Sequence, residues 1–187
     1  IALGHQLEMV QRAVAARPER AAERLGRTRQ TLAEIVDDLR RFCRDLRPMV
    51  LEDLGLVPAL EALLQGRNQV QSGACIRLEV SGRVRRLPPD LELAAYRIVQ
   101  EGINNVLQHA EAAHASVEMV FDASSLVIRV QDDGRGFEAP SSPAALAQEG
   151  HFGLMGIQER ATLYGGSMRL HSTPGAGTTI TVKFPLP

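Results

Sequence analysis

The chain has 187 residues, a formal net charge of −1 and 44% hydrophobic residues, enough to bury a sizeable core. The near-neutral balance argues against nucleic acid or an anionic membrane as the main partner, and an aromatic content of 4% without Trp argues against stacking on single-stranded nucleic acid. Cys43 and Cys75 stand far apart outside any paired motif, which suits a reducing compartment and excludes a cysteine metal site. No apolar run approaches a membrane-spanning length and no basic-then-apolar signal opens the chain. A cytoplasmic setting is therefore expected, with any membrane anchor of the full-length protein outside this stretch.

In chain order, the first 48 residues carry apolar positions at helical spacing. Leu3, Leu7, Val10 and Val14 form one stripe; Leu25, Leu32, Ile35, Leu39, Phe42 and Leu46 belong to another. Residues 15–19 break the pattern, and Pro18 suits the first turn of a second helix. A short link makes two helices antiparallel neighbours, a helical hairpin. Val36 and Cys43 widen the second stripe beyond what one helix covers, so a second copy is expected to complete a four-helix bundle; an intramolecular hairpin packed on the rest of the chain is the plainer alternative. Pro48 ends this unit, because the residue before proline is pushed out of the helical region. The expected domains are a dimerisation hairpin over 1–50, with its first helix truncated, and a second domain over 51–187.

The second domain reads as a helix over 57–70, a strand over 76–80, and a helix capped by Asp90 and running through Leu107. Strands follow at 115–121 and 126–131. Residues 138–150 are rich in Ala, Ser and Pro and lack periodicity. A helix over 154–164 ends at Gly165-Gly166, which fits a helix C-cap, and strands over 167–172 and 178–184 close the chain. Helices segregated from a mixed, largely antiparallel sheet give an α+β sandwich.

Glu101, Asn105 and His109 are four apart on one predicted helix and share a face. Carboxylate and amide oxygens are hard ligands of the kind Mg²⁺ accepts, although a solvated helix face produces the same spacing. Asp132-Asp133-Gly134-Arg135-Gly136-Phe137 follows an apolar strand. A strand ending in Asp and two alternate glycines can set a carboxylate at a pocket floor while the backbone approaches a flat ligand, and a carboxylate matches the amino group of adenine. A hairpin turn is the plainer alternative. Gly153-Leu154-Met155-Gly156 precedes a helix, where free N–H groups suit phosphate, and Pro174 to Thr178 turns the chain between strands.

The order and spacing of these motifs from about Leu87 to Pro187 resemble the nucleotide-binding (Bergerat) domain of the GHKL ATPases: gyrase, Hsp90, MutL and histidine kinases. Within that superfamily three segments are similar to sensor histidine kinases related to nitrate and lipid-fluidity sensors. They are Leu54-Gly55-Leu56-Val57-Pro58-Ala59-Leu60, Tyr96-Arg97-Ile98-Val99-Gln100-Glu101 and Gly153 to Arg160. The resemblance implies a two-component kinase that uses ATP and Mg²⁺ to phosphorylate a histidine and passes the phosphoryl group to a response-regulator aspartate. By the same resemblance Asn105 holds Mg²⁺, Glu101 supports the metal or its water, and Asp132 reads adenine. Gly134 and Gly136 admit the purine, Gly153 and Gly156 close over the phosphates, Thr178 helps bind adenine through water, His109 completes the binding face, and 138–150 is the ATP lid.

Two positions depart from that pattern. Position 108, usually basic in this branch, is Gln108, and no His is followed by the acidic residue and Gln of the phosphoacceptor motif. His5, followed by Gln6 and Leu7, reads as a helix-surface residue, so the phosphoacceptor is expected upstream of Ile1. The rivals are another GHKL ATPase or serine kinase, against which the hairpin argues, and a non-catalytic dimerisation and regulator-docking module with a decayed ATP site, against which Asn105, Asp132 and the glycines argue.

Overall fold

The structure, a computed structural model, describes residues 48–69, 74–139 and 152–186. The helical hairpin and nearly all of the 138–150 stretch lie outside the described residues. Met49 opens a compact unit that runs to Pro187.

Two helices begin it, α1 (Met49–Asp53) and α2 (Leu56–Gln69). Gly55, at φ 90°, turns the corner between them. After β1 (Cys75–Gly82) comes α3 (Pro89–Asn105), about 25 Å long at 1.5 Å per residue. Two antiparallel strands follow, β2 (His114–Phe121) and β3 (Ser125–Asp132). Then come α4 (Phe152–Leu163), β4 (Ser167–Ser172) and β5 (Thr178–Pro185). The strand order is β1-β2-β3-β5-β4, with β1 and β2 parallel and every other pair antiparallel. The parallel pair is what a long crossover helix permits, and α3 is that helix.

One sheet face is apolar in alternation. Val117, Met119, Phe121, Leu126, Ile128, Val130, Ile180, Val182 and Phe184 are buried, while Arg129, Gln131 and Lys183 between them are exposed. Against this face pack α2 on β1, α3 on β3, and α4 on β4 and β5. Ile98, Val99 and Ile103 anchor α3 with almost no exposure, each contributing about 1.5–3 kcal/mol of burial. Asn68, at the end of α2, donates through Nδ2 to the Ile76 carbonyl (3.0 Å) and accepts from Ile76 N–H (3.1 Å).

Several element bounds differ from the sequence reading: α1 has no counterpart in it, and α4 starts at Phe152, so Gly153 to Gly156 lie within the helix rather than before it. Three further differences bear on the site. The cap of α3 is not Asp90: Pro88 holds the N-cap position in extended geometry (φ −50°, ψ 135°), Pro89 begins the helix, and no side chain caps it. Glu92, 1% exposed, does the tethering, with Oε1 accepting from Leu87 N–H at 3.1 Å. Arg86 grips both oxygens of Glu92, through Nε at 3.0 Å and Nη2 at 3.2 Å, and also donates to the Glu52 carbonyl at 3.1 Å. Second, the α-helix stops at Asn105 and continues as a π-turn, Val106–Ala110, ending at Glu111 in the left-handed region (φ 53°). Third, β3 extends one residue further at each end, so Ser125 and Asp132 are buried within the strand. The end of α4 agrees with the reading: Gly165 has φ 68°, Gly166 N–H donates to Ala161 O and Gly165 N–H to Thr162 O, a Schellman stop.

Candidate functional site

A cavity of about 350 Å³ opens between the end of α3, the end of β3 and the start of α4. Asn105, His109, Asp132, Gly136, Gly153 and Thr178 line it, so the structure brings together six of the nine residues singled out from sequence. The three others lie close behind. Glu101 sits one turn before Asn105 on α3. Gly134 rests against the Ala110 carbonyl and donates its N–H to Asp132 Oδ1 at 2.9 Å. Gly156 lies one turn into α4 beside the Arg160 guanidinium.

Asp132 ends β3 with 7% exposure, opposite Thr178 of β5. Burial holds its carboxyl above the usual carboxylate range. The backbone N–H groups of Gly134 and Thr178 oppose that rise, and the charge of Asp133 adds to it. Its neighbour does different work. Asp133 accepts from Ala113 N–H and His114 N–H through Oδ1, each at 2.9 Å, and meets His114 Nδ1 through Oδ2 at 2.9 Å. Those bonds, His114's first, hold its carboxyl below the usual range. Thus one Asp of the pair floors the cavity and the other staples β2 to the loop.

The loop after Asp132 is fixed by backbone. Arg135 N–H donates to the Ala110 carbonyl (2.7 Å), and Gly175 N–H donates to the Arg135 carbonyl (2.6 Å). Gly136, at φ 57°, has no room for a Cβ, which would overlap the Thr173 carbonyl oxygen. Phe137 N–H donates to Ser172 Oγ (2.9 Å), and Ser172 Oγ in turn meets Thr178 Oγ1 (2.9 Å).

The cavity wall formed by the end of α3 is polar and unsatisfied. Asn105 Nδ2 is the buried side-chain nitrogen or oxygen that lacks a hydrogen-bond partner among the described residues. Such an orphan costs about 1–3 kcal/mol unless a ligand or water meets it. Glu101 and Asn105 turn their oxygens toward the same point. A Cβ on Gly153 would overlap Glu101 Oε1 and stand 3.3 Å from Asn105 Oδ1. The start of α4, with its free N–H groups, therefore faces two hard oxygen donors. Among the described residues no three His, Cys, Asp or Glu side chains converge as a metal site.

A family model described as "Histidine kinase-, DNA gyrase B-, and HSP90-like ATPase" matches residues 90–187, and one described as "Histidine kinase" matches residues 1–51. The chain belongs to the sensor histidine kinases, with their GHKL-type ATP-binding domain. Over 168 residues it is 30% identical to the signal transduction histidine-protein kinase/phosphatase DegS of Brevibacillus brevis, covering 90% of this chain and 42% of that protein. DegS of Bacillus subtilis is 34% identical over 75% of this chain and 36% of its own length. The sensor histidine kinase MctS of Rhizobium johnstonii is 31% identical over 99% of this chain and 39% of its own. The chain thus spans less than half the length of the curated relatives it matches. In fold it is similar to the ATP-binding domain of PrrB from Mycobacterium tuberculosis, with a TM-score of 0.53 at 22% identity, covering 69% of this chain and 92% of that one. It is also similar to the histidine kinase domain of the blue-light activated kinase of Erythrobacter litoralis EL346, with a TM-score of 0.52 at 21% identity, covering 69% of this chain and 58% of that one.

Part of the cavity wall carried no signal in the sequence. Arg135, Phe137, Phe152 and Ile180 also line it. The Asp-Gly-Arg-Gly-Phe run was visible as a motif, but only the glycines and Asp132 carried a chemical expectation. Phe152 lies next to the lid stretch, and its exposed side chain gave no periodic signal.

Proposed function

We propose that this chain is the Mg²⁺-ATP-binding core of a kinase that phosphorylates a histidine and supplies the phosphoryl group to a response-regulator aspartate. The observation that carries the reading is the polar lining of one cavity: a buried carboxylate, and a buried, unpartnered amide nitrogen beside a helix N-terminus. Those are the demands an adenine nucleotide makes.

At the first end, ionised Asp132 accepts the adenine amino group, and Thr178, held by Ser172 Oγ, positions a water beside the purine. Gly136 keeps the floor flat, while Gly134 braces Asp132. At the second end, the α4 start with Gly153 presents N–H groups to phosphate oxygens, and Gly156, one turn further, leaves the Arg160 guanidinium its place beside the helix. Asn105 Oδ1 and Glu101, directly or through water, would hold Mg²⁺, which supplies charge neutralisation of the phosphate chain when bound. The orphaned Asn105 Nδ2 then gains an acceptor among phosphate oxygens, and His109 closes the wall beside it. Catalysis of this kind is mainly positioning, so the domain's task is to present the γ-phosphate in line with an incoming imidazole.

The 1–50 hairpin supplies homodimerisation and regulator docking in this reading, and the setting is cytoplasmic, with any membrane tether outside the chain. His5 is followed by Gln6 and lacks an adjacent carboxylate to orient an imidazole. Residues 1–187 are therefore expected to bind ATP without labelling themselves from [γ-³²P]ATP. A longer chain that carries a histidine followed by an acidic residue is expected to take acid-labile label. Acid-labile label on 1–187, removed by His5→Gln, would overturn the phosphoacceptor assignment. Failure of 1–187 to bind ATP in calorimetry would overturn the whole reading.

A further inference from the structure

The phosphate chain of a nucleotide stays anionic after a divalent cation binds, so a site for it gains from a fixed cation. Gln108, next to His109 of the cavity wall, carries no charge. Among the described residues lining the cavity, Arg135 is the one Arg or Lys. Its backbone is fixed at both faces, by the 2.7 Å bond to Ala110 O and the 2.6 Å bond from Gly175 N–H. Its guanidinium is not: the side chain is 61% exposed and meets Glu111 Oε1 at 3.3 Å, with Glu111 itself 76% exposed. A pair that open is worth little in water, so exchanging its carboxylate for another oxyanion costs little. Glu111 closes the π-turn that carries His109 into the cavity wall, so the Arg135 guanidinium rests at the rim of the site.

We propose that Arg135 is the cationic contact to the nucleotide phosphate chain, leaving Glu111 for phosphate oxygens when nucleotide binds. The inference rests on the ATP reading above and adds a residue to it. A planar guanidinium offers paired donors to phosphate, and the long Arg135 side chain starts from a loop whose backbone is fixed at the wall of this same cavity. Glu111 acts as a placeholder that keeps the guanidinium at the rim.

The test is calorimetric titration of the 1–187 chain with adenosine, AMP, ADP and ATP, each with Mg²⁺, for wild type, Arg135→Gln, Arg135→Lys and Glu111→Gln. Thermal melts check that each variant folds. Arg135→Gln is expected to weaken ATP about tenfold while adenosine stays within about twofold, the scale of one partly exposed charge-assisted contact. Arg135→Lys is expected to recover part of that loss, and Glu111→Gln to tighten ATP by about two- to threefold. The wild-type advantage for ATP is expected to shrink as salt rises. Equal losses for adenosine and ATP would show that Arg135 only shapes the loop, and an unchanged ATP affinity would show that it makes no contact; either result overturns the proposal. A wild-type chain that binds neither ligand overturns the ATP reading itself, an outcome separate from any pattern among the Arg135 variants.

Discussion

Asp132→Asn is the sharpest perturbation of the site, because it alters one atom at the cavity floor and has opposite consequences for binding and for the fold. In the native chain one carboxylate, 7% exposed, accepts from Gly134 N–H at 2.9 Å and from the Thr178 backbone, and has acceptor capacity left for an adenine amino group. An amide in its place offers one acceptor oxygen and turns an N–H₂ toward groups that donate. Loss of a charge-assisted bond to adenine costs about 1.5–3 kcal/mol, or roughly ten- to 150-fold in affinity. The fold responds the other way. Because burial raises the Asp132 carboxyl, the folded chain holds a proton that the unfolded chain releases. The stability contributed by this group therefore falls as pH rises from the ordinary carboxylate value through the raised one, and at neutral pH the buried charge is a cost. Asp132→Asn removes it, so the variant's melting temperature is expected to match or exceed the parent's at pH 7, with the parent gaining relative to the variant as pH falls. Binding has the reverse pH sense: the parent loses ATP affinity as pH drops through the raised value, and the variant shows a flat profile. Calorimetric titration with ATP and with inosine triphosphate, whose ring carbonyl replaces the amino group, separates the pair; the parent should prefer ATP and the variant should lose that preference. Parent-like affinity and parent-like base preference in a folded Asp132→Asn chain would refute the assignment of Asp132 to adenine.

Three further outcomes are expected. Asn105→Ala should abolish the Mg²⁺ dependence of ATP affinity, read as identical titrations with Mg²⁺ and with EDTA, while adenosine binding persists. Gly136→Ala should destabilise the chain by about 2–4 kcal/mol, since φ 57° and the overlap with Thr173 O both penalise a Cβ, and a urea melt would show it as a lower midpoint at unchanged slope. Leu32→Asp with Leu39→Asp should shift 1–187 toward monomer in sedimentation, because each charge in the apolar seam costs several kcal/mol without a partner.

What the sequence made legible was whatever has a period or a spacing. The alternation in β3 and the 3.6-residue pattern of α3 set those elements, and the glycine motifs set the loops that meet Asp132. What it hid follows from physics that spacing does not encode. Glu101, Asn105 and His109 at intervals of four fit an α-helix or a π-turn equally, so the change of winding at Val106 left no mark. Asp90 carries the chemistry of a cap, yet Pro88 and Pro89 had already fixed the backbone there. Glu92 has the pattern of an exposed first-turn carboxylate, and only the fold shows it buried under Arg86. Arg135 stood inside a recognised motif, but its place at the cavity rim depends on where the end of α3 meets the loop.

The Asn68 amide has a consequence for how copies of this chain associate. The first strand lies at the border of the sheet, where unpaired backbone groups invite zipping onto another molecule. By donating to and accepting from Ile76, Asn68 imitates the backbone of the strand that would otherwise add there. Asn68→Ala then leaves both backbone groups of Ile76 unpaired at this border, a change that bears on contact between copies rather than on the nucleotide site.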